Sequence, residues 1–282
     1  MATNAIKAVV FDIDGSIMPQ GGPIDPRVAA IFCGLQKLGV KLGPATGKNC
    51  DYARGLACGV GVVWDFVIGE TGAQVLETIA YTPPAFRQRS VIKGGSKDLA
   101  TFAKKIALDP IARTFDFRGE LQSYRPELKE SILTLFPPRE NVEETLGWVP
   151  YFQGMVDLCE LELKIQRHKD GCIDILPLEV NKSLGVHEVC RMLACNLENL
   201  VTVVDGVNDH ELILPGAHTI AVGNAVPVIK ETTTSNHGFV ASHDDGMGFA
   251  EGLLHFAKKE MFEDSSAVAG LVITNFPELV SS

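Results

Sequence analysis

Hydrophobic and polar positions follow two different rules along this chain. In the first stretch, short apolar runs alternate with segments of helical period. Ala8 to Phe11 is an uninterrupted apolar run and reads as a buried strand. Asp25-Pro26 then opens a helix, with a capping Asp before a Pro at the first helical position. Val28, Ile31, Phe32, Leu35 and Leu38 recur at helical spacing until Gly39 ends the element. A second strand covers Val40 to Ala45, a helix runs from about Asn49 to Cys58, and a third strand covers Phe66 to Gly69. Glu70-Thr71-Gly72-Ala73 leads into a strand-like segment, Gln74 to Leu76. This alternation predicts an α/β fold, a parallel sheet covered by helices on both faces.

The rule changes near Pro83-Pro84. Leu158 to Gln166 sets Leu161, Leu163 and Ile165 against Glu160, Glu162 and Lys164; Asp170-Gly171 is a hairpin signal and Cys172 to Leu176 a return strand. A half-exposed antiparallel sheet is thus expected, unlike the buried strands before it. The first rule resumes at Asn181-Lys182-Ser183 with a helix from Ser183 to Cys195 and a strand from Leu200 to Val204. A short helix to Leu214, a strand from His218 to Val222, the turn Gly223-Asn224-Ala225 and a helix from Gly248 to Lys259 follow. The expected division is a discontinuous core of residues 1–82 and 178–263, an inserted α+β domain of 83–177, and a tail of 264–282. The tail carries an apolar run, Ala267 to Ile273, whose role the pattern leaves open between docking on the core and docking on another subunit.

Composition narrows the class. The chain has 282 residues, 46% hydrophobic and 21% charged, which fits a folded protein rather than a disordered one. A net charge of -10 argues against non-specific binding to nucleic acid or an anionic membrane surface. No apolar run is long enough to span a bilayer, and the first strand begins too early to leave room for a signal peptide. Seven cysteines without a C-x-x-C pair predict reduced thiols in a cytoplasmic setting. His187, Cys190 and Cys195 share one helix, but their spacing fits no common zinc site. Residues 83–177 hold 14 basic and 14 acidic residues, so the remainder carries the whole net charge. That neutral insert either supplies cations toward an anionic substrate or reflects ordinary surface variation.

The chemistry gathers after the strands. Asp12 and Asp14 end the first one, and residues two apart in a strand share a face. Burying carboxylates is costly unless they are paired or bind a cation. Thr46 follows the second strand, Lys182 opens a helix, and Asp205 and Asp209 follow the strand at 200–204. In open α/β sheets the ligand site lies at the carboxyl ends of the strands, so these residues are expected to meet. Carboxylates suit a hard divalent cation, magnesium by expectation, while a Lys and a Thr hydroxyl suit a phosphate. Lys182 has a second reading as a solvated helix-start lysine. For Ser16, Asn208 and Asn224, turn or capping roles compete with substrate contact.

These motifs resemble the haloacid dehalogenase superfamily, in its Cof-like sugar-phosphatase branch with a large inserted cap. Phe11-Asp12-Ile13-Asp14-Gly15-Ser16 is similar to the first motif and Ala45-Thr46-Gly47 to the second. Pro177 through Val180-Asn181-Lys182 resembles the lysine motif, and Asp205-Gly206-Val207-Asn208-Asp209 the acidic one; Val222-Gly223-Asn224-Ala225 also fits. The chain departs from the pattern at Lys48, where Arg is common, at Thr71, a usual Asn position, and at Val204, a usual Gly position.

The resemblance implies a Rossmann-like core with an α+β cap and a magnesium-dependent phosphatase for a small phosphorylated metabolite, a sugar phosphate among the candidates. Asp12 would be the nucleophile, forming an aspartyl-phosphate, and Asp14 the general acid and base. Asp14 favours phosphate over halide chemistry, because dehalogenating relatives lack an acid there. Magnesium would be held by the Asp12 carboxylate, the Asp14 backbone carbonyl and Asp205, with Asp209 as ligand or support. Thr46, Lys182 and Asn208 would bind the phosphoryl oxygens. A phosphomutase would share these motifs, and a non-catalytic regulatory protein on the same fold is the alternative from another class. The sequence leaves the substrate and the choice of monomer or homodimer open.

Overall fold

The computed structural model describes residues 5–81, 84–90, 97–109, 129–135, 143, 145–168 and 171–280. The chain separates into two compact units, Met1–Arg89 with Asn181–Ser282, and Ser90–Val180. In chain order the strands are β1 (Ala8–Phe11), β2 (Lys41–Pro44), β3 (Phe66–Gly69), β4 (Gln74–Tyr81), β5 (Pro84–Ser90), β6 (Leu133–Leu135), β7 (Leu163–Arg167), β8 (Ile173–Pro177), β9 (Leu200–Val204), β10 (His218–Ala221) and β11 (Phe239–Val240). The helices are α1 (Pro26–Lys37), α2 (Cys50–Gly59), α3 (Lys97–Leu108), α4 (Thr145–Leu158), α5 (Lys182–Leu193), α6 (Pro227–Ser235), α7 (Asp245–Lys258) and α8 (Ser265–Asn275).

The first unit is built on a parallel sheet of order β11-β10-β9-β1-β2. β3 continues it beyond β2: Asp65 N–H donates to the Leu42 carbonyl at 2.8 Å and Thr46 N–H to that of Ile68 at 2.9 Å. β1 is buried throughout, as its unbroken apolar run requires. α1 starts where expected, with the Asp25 carboxylate accepting from Arg27 N–H and Pro26 in the first turn. It buries Val28, Ile31, Phe32 and Leu35. Phe32 stacks on Phe11 at 5.1 Å and meets the edge of Trp64 at 5.1 Å, with Phe249 of α7 at 5.5 Å. Burying each such ring stabilises the fold by about 2 kcal/mol, which fixes α1 and α7 against the sheet.

Two features differ from the sequence reading. The strand expected over Gln74 to Leu76 runs on to Tyr81, and β5 follows it in the same sheet, within the first unit. Pro84 does not end the core, because proline is tolerated as the first residue of an edge strand; Pro83 lies outside the described residues. The tail, set apart in the expected division with docking on the core as one of its two options, is part of the first unit. Asp264 caps α8 by accepting from Ala267 N–H at 3.0 Å, and Val268, Val272 and Phe276 are buried against α1 and α7. Arg27 clamps the far end, 4.1 Å above the Phe276 ring and 2.6 Å from Glu278.

The second unit has an antiparallel sheet of order β6-β8-β7, with Leu133 and Ile165 both opposite Ile175. Those residues, with Leu163 and Ile173, pack against Phe102 and Ile106 of α3 and Trp148, Phe152 and Val156 of α4. The hairpin at β7–β8 forms as the alternation predicts, although Asp170 of its turn signal lies outside the described residues. On alternate positions of the sheet, Thr134 and Gln166 flank Asp174. Asp174 is buried, with His168 Nε2 at 2.7 Å and Lys129 Nζ at 3.6 Å. Burial alone would raise its pKa, but Lys129, His168 and Thr134 together hold it down at about 2.

Candidate active site

Register brings the predicted residues to one edge. Phe11 lies opposite Pro44 of β2 and Val203 of β9, so the segments that follow these three parallel strands leave on the same side. Asp12 N–H extends the ladder by donating to the Val203 carbonyl at 3.1 Å. The chain then turns sharply, with Gly15 at φ +87°. A Cβ at Gly15 would sit 2.4 Å from Asp205 Oδ2, so only glycine lets the two loops approach this closely. Ser16 Oγ donates to Asp205 Oδ1 at 2.9 Å and Asn224 Nδ2 to the Gly15 carbonyl at 2.7 Å. Ser16 and Asn224 therefore brace the loops.

Lys182 comes from the first turn of α5, where the Asn181 side chain accepts from Leu184 N–H and Glu211 accepts from Lys182 N–H. Its Nζ lies 2.6 Å from Asp12 Oδ1 and 2.5 Å from Asp209 Oδ1, and the residue is 1% exposed. The solvated reading of Lys182 is thereby excluded. Asp209 is fully buried and is oriented by the backbone N–H groups of Asp205 and Gly206, both donating to its Oδ2. Asn208 Nδ2 reaches Asp209 Oδ1 at 3.4 Å, a long bond beside the cluster.

One ammonium faces three carboxylates. Burial, and then the charge of Asp209, raise the pKa values of Asp12 and Asp205 well above the ordinary carboxylate range. Burial disfavours the Lys182 ammonium, yet the Asp12 and Asp209 charges outweigh it and push its pKa up. Asp12, Asp205 and Asp209 each offer an oxygen, and these lie within 4.8 Å of one another. Hard oxygen donors with surplus negative charge fit a small divalent cation. Among the described residues this is the one such group of His, Cys, Asp and Glu, so His187, Cys190 and Cys195 do not form a second.

The Asp14 side chain stands outside that group. It is held by Lys48, whose Nζ is 2.6 Å from Asp14 Oδ2. Thr46 is buried; its backbone N–H donates to Ile68, and its Oγ1 accepts from Lys48 N–H at 3.2 Å. Thr71 N–H donates to the Thr46 carbonyl, placing the Glu70–Gly72 turn beside the site. Gly72 has φ +96° and packs so closely that a Cβ would lie 1.9 Å from the Asn181 carbonyl oxygen. Thr71 is itself at φ +57°, a costly conformation for a β-branched residue, and its buried Oγ1 has no hydrogen-bond partner. Lys48, Glu211 and the bracing roles of Ser16 and Asn224 were not assigned from sequence. In the sequence Lys48 stands out only as a departure from the resembled motif, and Ser16 and Asn224 as candidates for turn roles or substrate contact.

Residues 103–253, just over half of the chain, match the family of haloacid dehalogenase-like hydrolases. The chain belongs to this family. The matched segment of this haloacid dehalogenase-like hydrolase includes Lys182, Asp205 and Asp209. HMP-PP phosphatase of Serratia proteamaculans is 29% identical over 80 residues, 28% of this chain and 27% of that protein; the match thus spans about a quarter of that relative. Phosphoglycolate phosphatase of Methanosarcina mazei is 24% identical over 245 residues, 85% of this chain and 92% of that protein. The sucrose-phosphatase of Synechocystis, solved with sucrose and phosphate, shares the fold with a TM-score of 0.60 and 17% identity over 88% of this chain and 97% of that one. Each of these three relatives is named a phosphatase. Among the described residues no helix is long and apolar enough to cross a membrane.

Proposed function

We propose that this chain is a magnesium-dependent phosphatase for a small phosphorylated metabolite, working through an aspartyl-phosphate on Asp12. The observation that carries the reading is Lys182 Nζ, buried and shared between Asp12 and Asp209, with Asp205 completing a group of oxygen donors. Asp12 Oδ1 is engaged by Lys182, so Oδ2 is the oxygen assigned to attack phosphorus as the bond to the leaving oxygen breaks. Asp14 gives its proton to that oxygen, then takes one from the water that hydrolyses the intermediate and frees Asp12. Lys48 positions Asp14 for both transfers. Thr46, Lys182 and Asn208 are assigned to the phosphoryl oxygens, where Lys182 supplies the charge. Asp12, Asp205, Asp209 and the Asp14 carbonyl would hold the magnesium ion, which when bound offsets the charge of nucleophile and phosphate.

The 90–180 unit is assigned the role of a cap that selects substrate, supported by its separate hydrophobic core. Sugar phosphates remain the first class to screen, and seven free thiols support a cytoplasmic setting. The test is phosphate release over a panel of phosphorylated metabolites, with magnesium titrated against chelator. Asp12→Asn should remove turnover while the protein stays folded; steady turnover by that variant would exclude the covalent route. Product analysis with a hexose 1-phosphate separates a phosphatase, which yields free phosphate, from a phosphomutase, which yields an isomer.

A further inference from the structure

α5 ends in a way that places two thiols together. Ala194 adopts the left-handed conformation, φ 47° and ψ 49°, directly after Leu193. This reverses the chain so that Cys195 N–H donates to the Cys190 carbonyl at 3.0 Å. That six-residue closure is the Schellman turn, in which the residues at its two ends commonly make a side-chain contact. The contact is ordinarily apolar and serves to end a helix. Here both residues are cysteine, so the turn sets two thiol-bearing residues at its two ends. Both are partly exposed, and with His187, Glu198 and Pro215 they line a surface cavity of about 390 Å³.

We propose that Cys190 and Cys195 form a dithiol that hydroperoxides oxidise to an intramolecular disulfide. The backbone bond of 3.0 Å between these residues holds their chains close, so a disulfide, with its bond length of about 2.05 Å, needs little chain movement. The neighbouring Cys190 thiol, aided by Lys7 and opposed by burial, lowers the pKa of Cys195 to about 7, whereas Cys190 is raised. Cys195 is therefore the attacking thiolate. It displaces one oxygen of the peroxide, becoming a sulfenic acid as the O–O bond breaks and the other oxygen leaves as alkoxide or hydroxide to be protonated by solvent. The Cys190 sulfur then attacks the Cys195 sulfur; the S–O bond breaks, and the thiol proton leaves with that oxygen as water. Two thiols lose two electrons in total, and one hydroperoxide gains them.

Trypsin provides a direct readout, because Lys182 and Arg191 place the two cysteines in separate peptides. Ser183–Arg191 contains only Cys190, and Met192–Lys230 contains only Cys195. The full-length protein is treated with one equivalent of hydrogen peroxide, blocked with an alkylating agent, digested, and analysed by mass spectrometry. The expected product is the two peptides linked and separable by reductant, formed about tenfold faster than any oxidation at exposed Cys58. Cys190→Ser should abolish the link and leave a sulfenic acid on Cys195 that dimedone traps. The inference is overturned if Cys58 or Cys33 oxidises first while 190 and 195 stay reduced, since the pair would then be a helix-ending contact alone. A disulfide between two copies of the chain would overturn it as well.

Discussion

Asp205→Asn separates the electrostatic cost of the acidic cluster from its use. Asp205 faces Asp209 and Asp12, and burial together with those charges raises its pKa to about 8. Near neutral pH its charged form is disfavoured over about three pH units, a ceiling of about 4 kcal/mol at 1.36 kcal/mol per unit. Asp12 has a raised pKa as well and shares this cost, and Asp205 keeps partial contact with solvent, so about half of that is expected, roughly 2 kcal/mol. Asn keeps the oxygen that accepts from Ser16, which preserves the loop. The sign follows from linkage: a raised pKa means that the folded state binds more protons than the unfolded one. Stability of the metal-free protein should therefore fall as pH rises from about 4 to about 8, and less steeply in the variant. Urea unfolding in excess chelator should show Asp205→Asn more stable than the parent by about 2 kcal/mol near neutral pH. Adding magnesium should then stabilise the parent but hardly the variant, whose phosphate release should be near background. A variant less stable than the parent in chelator, or one with an undiminished magnesium effect, would refute the reasoning.

Three further expectations follow from named contacts. Lys182→Met leaves the Asp12 and Asp209 carboxylates without their buried cation and should cost about 3 kcal/mol near neutral pH, and less in mild acid where Asp12, whose pKa is already raised, takes up a proton; equal losses at both pH values in urea unfolding would contradict this. Lys48→Ala breaks a partly exposed pair, so stability should change by less than about 1 kcal/mol while kcat falls about tenfold and Lys48→Arg restores it; an unchanged kcat would remove Lys48 from the positioning of Asp14. Asp174→Asn should destabilise the protein by about 2 kcal/mol at neutral pH. Because the folded pKa of Asp174 is lowered, that difference should be present above about pH 4 and vanish as pH falls through about 2, and a difference that persists in denaturation curves at low pH would count against the Lys129–Asp174–His168 network.

Much of the fold was legible because local rules and tertiary packing agree. Asp25-Pro26 can start a helix with little help from context, and the unbroken run at Ala8–Phe11 suits only a strand covered on both faces. The acidic and basic residues of the site were legible for a related reason. Charged groups at the ends of apolar strands are costly there unless they are used, and the parallel register carries Asp12, Thr46 and Asp205 to one edge. Where a local signal has two outcomes, packing chose between them. Proline near residue 83 reads as a boundary, but an edge strand accepts Pro84 and β5 stays with the first unit. The run Ala267–Ile273 has two outcomes as a sequence, and packing on the preceding α7 and on α1, which is far away in sequence, buries its Val268 and Val272. The pairings Lys48–Asp14 and Lys182–Asp12–Asp209 were likewise decided in three dimensions, together with the strained turn at Thr71-Gly72 against Asn181. Spacing along a chain encodes period, turn and charge, whereas the partner of a side chain from a distant segment depends on how closely two loops approach, and here that was set by the missing side chains of Gly15 and Gly72.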